Sequence, residues 1–342
     1  MPGVRAPLAL ETIDYHTAGE PFRIVTAGAP AIPGRTVRER REAARESAEV
    51  DTVRKLLCHE PRGHADMYGC FPVEPDDDGA ELGVLFWHKD GYSTACGHGT
   101  IALGTWAVES GMVSAERDGE TELAIDVPSG RVTARVHCRD GRVRSVAFRN
   151  VPAYVLARSV AVDTSRGRVE VDLSWGGAIY ASLDAAAVGL QVSPEHHDEL
   201  VALGREVKRA LDGGEYSRHP SDQRLSGIYG TILFEALAGD REELHQRNVT
   251  VFADGEVDRS PCGSGTSARL ALLHADGVLT GGRSLRHGSI VGTEFRARVV
   301  EELRAEDRDA VVTEVDGMAF RTGEHRFVLD PDDPLGTGFV LR

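Results

Sequence analysis

Apolar and polar positions along this chain change period repeatedly, and the changes mark strands alternating with helices from end to end. Arg5 to Thr26 reads as a first strand system anchored by Ile13, Ile24 and Val25. From Arg35 to Leu57, Val37, Val50, Val53, Leu56 and Leu57 sit under a coat of Arg and Glu, which predicts one amphipathic helix. The alternating signs of that coat mark a solvated face rather than a nucleic-acid surface. Gly83 to Phe86 predicts a short buried strand, and Ser129 to His137, Val143 to Phe148 and Arg168 to Leu173 alternate as half-buried strands do. Pro194 to Leu211 predicts a second charged helix with Leu200, Leu203, Val207 and Leu211 on one side. Thr231–Phe234, Val249–Phe252, Phe295–Val300, Ala310–Val315 and Phe327–Leu329 complete the strands. Two more helices are predicted directly after Cys96-Gly-His-Gly-Thr and Cys262-Gly-Ser-Gly-Thr, stopping at Gly111 and Gly277. The whole is a mixed α and β pattern.

Those last two helices repeat one another. With residues 96–111 laid over 262–277, Cys, Gly, Gly, Thr, Ala and the terminal Gly coincide, six identities in sixteen positions. Unrelated sequence would give roughly one. Phe86 and Phe252 fall on the same 166-residue offset. The pattern predicts an internal duplication, each half delivering a strand, a turn bearing Cys, and a helix.

The length of 342 residues suits two such halves. A net charge of −15 argues against nucleic acid and anionic membrane as partners. No apolar run approaches a membrane span, and Met1 to Leu10 is too short for an export signal, so a cytoplasmic location is expected. The five cysteines are odd in number and form no CxxC pair, which disfavours a disulfide framework and a ribbon-type zinc site. Cys58, Cys70 and Cys138 read as packing residues. Cys58, His59, His64 and His16 match no metal-ligand spacing, so no metal is expected. Arg62 and Asp66, flanking His64, are expected to form an ion pair locking the loop that carries Tyr68. Trp87, Trp106 and Trp175 are expected in the core.

Cys96 and Cys262 differ from the other three because each stands where a strand hands over to a helix. The amides beyond each are the unsatisfied donors of a helix N-terminus, able to hold a carboxylate and to lower a thiol's pKa. Neither turn has the Lys-Ser or Lys-Thr of a phosphate loop, so a nucleotide site is disfavoured. Two duplicated halves facing across a cleft would set the thiols on opposite sides of one small ligand. That suits inversion of a carbon beside a carboxylate: a thiolate removes the proton from one face while a thiol returns one to the other.

The residues that carry this chemistry also carry a resemblance. Asp14-Tyr-His-Thr-Ala-Gly-Glu-Pro, Glu60-Pro-Arg-Gly-His-Ala-Asp-Met-Tyr-Gly, Gly91-Tyr-Ser-Thr-Ala-Cys-Gly-His-Gly-Thr, Trp175-Gly-Gly, Ile228-Tyr-Gly-Thr, Asp258-Arg-Ser-Pro-Cys-Gly-Ser-Gly-Thr and Asp333-Pro-Leu run along nearly the whole chain. The sequence resembles the proline racemase family, cofactor-independent enzymes of the diaminopimelate epimerase fold. The resemblance implies an α+β protein of two pseudo-symmetric halves, each a mostly antiparallel sheet wrapped around a central helix, with the active site in the cleft between them. The halves are expected at 1–138 plus 296–342, carrying Cys96, and 139–295, carrying Cys262. The resemblance further implies Cys96 and Cys262 as the acid and base pair. Amides of Gly97, His98, Gly263 and Ser264 are implied to hold the carboxylate, Asp258 the amine, and Tyr68 and Phe252 the ring.

Within the family, the Cys/Cys pair favours a racemase or 2-epimerase of proline or hydroxyproline, since dehydratases typically carry Thr at the second position. Gly91-Tyr-Ser-Thr-Ala-Cys, Val251-Phe-Ala-Asp and Asp332-Asp-Pro-Leu look closer to the trans-3-hydroxy-L-proline dehydratases, which keeps that activity as the alternative. Ala18 departs from the Gly usual in the opening motif. A small-molecule substrate, no cofactor and an open question of homodimer formation complete the expectation.

Overall fold

The computed structural model describes residues 8–280 and 282–341; Met1–Pro7, with the first residues of the predicted opening strand, lie outside them. The described residues form an eighteen-stranded hydrogen-bonded network, most of its ladders antiparallel, and five α-helices: α1 (Val37–Glu46), α2 (Ala48–Cys58), α3 (Gly97–Glu109), α4 (His197–Leu211) and α5 (Gly263–Ala275).

α3 and α5 organise the fold. Each has thirteen residues, and their bounds are displaced by 166 positions, the offset of the sequence repeat. Both are buried around their whole circumference through the first three turns, as helices at the centre of a protein must be. α3 is wrapped by strands Leu8–Thr17, Gly130–Arg139, Arg142–Arg149 and Ala319–Leu329; α5 is wrapped by Ala153–Thr164, Gly167–Trp175, Glu294–Ala305 and Arg308–Gly317. Val132, Ala134, Val136 and Cys138 alternate inward along one of these strands, where period 2 aims every second side chain at the core. Cys70 lies in the same core and Cys58 beside it under α1 and α2. The last long strand returns to pair with the first, Leu8 facing Leu329 and Thr17 facing Ala319. Trp87, Trp106 and Trp175 are buried, as expected.

Three sequence expectations need correction. The helix expected across 35–57 is two helices, because Ser47 leaves helical geometry at φ −89°, ψ 110° and accepts a hydrogen bond from Val50 N–H as the cap of α2. The helix expected from Pro194 begins as a 3-10 turn, and α4 proper starts at His197. Ser129 is in a turn, and its strand starts at Gly130. The strands Tyr68–Val73, Gly91–Tyr92, Gly119–Val127, Ala153–Thr164, Ile179–Asp184, Glu256–Asp258 and Ser284–Ser289 are not among those the sequence pattern predicts.

Candidate active site

Each thiol stands at the N-terminus of one central helix. Cys96 caps α3 in extended geometry, and its Sγ accepts a hydrogen bond from Gly99 N–H at 3.2 Å. Cys262 precedes α5 with φ +63°, a left-handed conformation that a non-glycine residue adopts at a cost of about 1 kcal/mol or more. Small residues make room for the sulfurs. A Cβ at Gly99 would lie 2.7 Å from the Cys96 sulfur, and one at Gly265 would lie 2.9 Å from the Cys262 sulfur. The two helix ends abut. A Cβ on Gly97 would stand 2.5 Å from Gly263 Cα, and one on Gly263 would stand 2.6 Å from Gly97 Cα. The first N–H groups of both helices, which have no acceptor inside their own helix, therefore converge on one spot.

That spot is a cavity of about 10 Å³ lined by Tyr68, Ala95, Cys96, His98, Tyr180, Tyr229, Phe252, Asp258, Cys262 and Ser264. Seven of the nine residues expected at the site line it directly. The other two, Gly97 and Gly263, form the backbone contact behind it. Asp258 is buried, and its Oδ1 accepts from both Ser260 N–H (2.8 Å) and Ser260 Oγ–H (2.7 Å). Ser260 Oγ in turn accepts from Cys262 N–H at 3.1 Å. Asp258 Oδ2 is turned toward the His98 ring, 3.8 Å from Nδ1. His98 also lies against Cys96, with both ring nitrogens 3.5 Å from the sulfur. Tyr68 packs edge-on to His98 at 4.9 Å and to Phe252 at 5.9 Å, and its hydroxyl bonds Ser93 Oγ and, at 3.1 Å, Tyr229 OH.

Burial dominates the electrostatics. It pushes the Cys96 thiol well above its ordinary pKa, the Gly99 amide pulls it back in part, and the neighbouring Asp258 and Cys262 add to the rise. Burial and then Asp258 push Cys262 up as well. The expectation that helix N-termini would lower the thiols' pKa is thus corrected: the amides act in that direction, but loss of solvent outweighs them. Burial lowers the pKa of His98 against the partial opposition of Asp258. It raises the phenols of Tyr68 and Tyr180, keeping them protonated donors at neutral pH.

Tyr180 and Tyr229 belong to the lining and were not singled out in the sequence. Tyr229 lies inside Ile228-Tyr-Gly-Thr, a segment already quoted, whereas Tyr180 follows Trp175-Gly-Gly. The role of that Gly pair is visible only in space: a Cβ at Gly176 would meet Ser264 O at 2.4 Å, so the glycine lets the next strand pass α5 and deliver Tyr180. Tyr180 OH bonds Ser264 Oγ at 2.7 Å and lies 3.8 Å from the Cys262 sulfur.

The pair expected between Arg62 and Asp66 gives way to longer-range partners. Arg62 donates to Gly336 O at 3.0 Å and approaches Asp333, while Asp66 accepts from Arg259 Nη2 at 2.7 Å and from Val257 N–H at 3.2 Å. Asp66 thereby steadies the hairpin carrying Phe252 and Asp258. His88, Asp90 and Glu256 come within 4.8 Å of one another, a spacing that could hold a cation. The Lys89 ammonium supplies positive charge there, 2.7 Å from Asp90 and 3.9 Å from Glu256.

The sequence profile described as Proline racemase matches residues 12–340. A Burkholderia multivorans protein named 3-hydroxyproline 2-epimerase is 44% identical over 335 residues, 98% of each chain. A Burkholderia ambifaria protein named trans-3-hydroxy-L-proline dehydratase is 44% identical over the same length and shares of chain. The crystal structure of a hydroxyproline epimerase from Agrobacterium vitis, with bound trans-4-hydroxy-L-proline, superposes with a TM-score of 0.90 at 31% identity, covering 98% of this chain and 96% of that one. With a central helix in each wrap of sheet and a cysteine before each helix, this α+β enzyme belongs to the proline racemase family.

Proposed function

We propose that the protein racemises or 2-epimerises proline or a hydroxyproline without a cofactor, using Cys96 and Cys262 as base and acid. The observation that carries this reading is the placement of two thiols at two abutting helix N-termini, both lining one cavity. The carboxylate is held by N–H groups of Gly97, His98, Gly263 and Ser264, and the ring nitrogen by Asp258 Oδ2. Tyr68 and Phe252 wall the ring. One thiolate takes the Cα proton from its face. The electron pair moves into the carboxylate, whose growing charge the two sets of amides stabilise, and the opposite thiol protonates Cα from the other face. The division of the chain into two halves, one thiol to each, belongs to this reading, but its bounds shift from 1–138 plus 296–342 and 139–295: Arg142–Arg149 packs on α3, and Glu294–Ala305 and Arg308–Gly317 pack on α5. The five unpaired cysteines fit a reducing, cytoplasmic compartment.

A second reading, dehydration of trans-3-hydroxy-L-proline, is favoured by the dehydratase relative. It needs proton removal from one face only, followed by loss of the 3-hydroxyl. One panel separates the two: proline, trans-3- and trans-4-hydroxy-L-proline in deuterated water, with borohydride trapping. Epimerisation gives Cα-deuterated isomer of inverted configuration; dehydration gives a cyclic imine that borohydride reduces to proline. No Cα exchange with any of the three would end the first reading.

The raised thiols fix a pH dependence. Both cysteines have pKa values above the ordinary, so below those values each unit of pH leaves about tenfold less thiolate in the free enzyme. The second-order rate of Cα exchange is therefore expected to climb from pH 6 to pH 8 with a slope approaching tenfold per unit. A profile flat across that interval would contradict a buried thiolate base.

A further inference from the structure

The inner cavity, at about 10 Å³, has room for at most one water, so its walls must move to admit a ring amino acid. Outside it lies a second cavity of about 450 Å³, ample for such a molecule. Tyr229 is the one residue common to both linings. It is half-buried, at the start of strand Ile228–Leu237 and just after Gly227, whose φ is +113°. Its ring stacks on Phe252 (5.6 Å, 12°) and meets Tyr180 edge-on. Its hydroxyl bonds the Tyr68 hydroxyl at 3.1 Å. A single ring thus stands between the large space and the small one.

The outer cavity is cationic on a protein of charge −15. Arg41, Arg45, Arg205, Lys208 and Arg209 line it against three carboxylates, Asp90, Asp212 and Asp254. Arg205 and Arg209 share Asp254, at 2.9 and 2.8 Å, so one carboxylate serves two guanidiniums. Arg41 and Arg45 likewise share Glu42. Arg41 is buried and also donates to Tyr92 O, a neutral acceptor. Positive charge in a recess focuses the field that draws an anion inward.

We propose that the 450 Å³ cavity is the entrance site of the enzyme, taking the substrate by its carboxylate among these arginines, and that Tyr229 is the door to the thiols. The inference rests on the proposed substrate class and adds a site and a route. The rival route is a parting of the long-range contacts Asp66–Arg259 and His88–Glu256, which would admit substrate without using the outer cavity.

Entry is read from the association rate of pyrrole-2-carboxylate, an anionic five-membered ring with a planar α-carbon, followed by stopped-flow fluorescence. The double variant Arg45→Glu, Arg209→Glu should bind about tenfold more slowly at low ionic strength, the difference closing in high salt. Ser226→Trp, which fills the outer cavity, should slow association about tenfold or more. Ser226→Ala, which loses the same hydrogen bond from His219 N–H without adding bulk, should match the parent. Should Ser226→Trp fail to fold, the charge variant decides. Parent-like association in both would overturn the entrance and leave the proposed function standing; a parent that neither binds the probe nor exchanges Cα protons would remove both.

Discussion

Replacing either thiol by alanine is expected to lower inversion of the substrate about a thousandfold, the scale of losing a positioned acid or base. The two losses should differ in kind. With Cys262→Ala, Cys96 can still take a proton from its own face and return deuterium to that face, so label enters Cα without inversion. With Cys96→Ala the mirror event is left to Cys262. Retention of inversion at the parent rate in either variant would refute the two-thiol reading. Cys262→Thr carries the same logic into the second reading: it removes one face of the chemistry, so inversion should collapse while dehydration of trans-3-hydroxy-L-proline persists if this chain performs it. Mass spectrometry of the Cα label beside chiral chromatography reads all of these outcomes. Neither cysteine is expected to substitute for the other. Each sulfur keeps to its own helix end: Cys96 Sγ accepts from Gly99 N–H, and Cys262 Sγ stands against Gly265, where a Cβ would lie 2.9 Å away.

The second large effect is expected at the meeting point of the helices. Gly97→Ala would place a methyl 2.5 Å from Gly263 Cα, 2.7 Å from its carbonyl carbon and 2.8 Å from Ser264 N. Gly263→Ala would place one 2.6 Å from Gly97 Cα and 2.9 Å from its carbonyl carbon. Every atom in the way is backbone, so no rotamer change relieves the clash, and the helix ends must separate. A destabilisation of about 3 kcal/mol is expected, the upper range for overpacking. Activity should fall further than stability, because the amides proposed to hold the carboxylate move with those backbones. Gly288→Ala, whose new methyl would meet nothing closer than 3.6 Å, is the control. Denaturant midpoints and exchange rates of the three variants check this; an active, parent-stable Gly97→Ala would show that the two ends do not meet.

The break between α1 and α2 is written locally. Ser47 is a cap residue followed by Glu49 and Asp51 in the first turn, but a spacing of apolar residues that runs through both helices masked it. The partners of Arg62 and Asp66 are a different matter, since Asp66 and Arg259 are 193 residues apart and no local pattern joins them.

What the sequence determined by itself is the local chemistry: two strand–cysteine–helix units, their 166-residue offset, and the glycines that leave space beside each sulfur. Capping, turn formation and helix stops act over a few residues, so they can be read from a few residues. What only the tertiary structure decided is everything that depends on two distant segments meeting. It brought the two helix N-termini into backbone contact, closed Tyr180 and Tyr229 over the thiols, and turned the thiol pKa values upward. Helix amides belong to the nearest turn of chain, whereas burial belongs to the assembled core, and at Cys96 and Cys262 burial is the larger of the two.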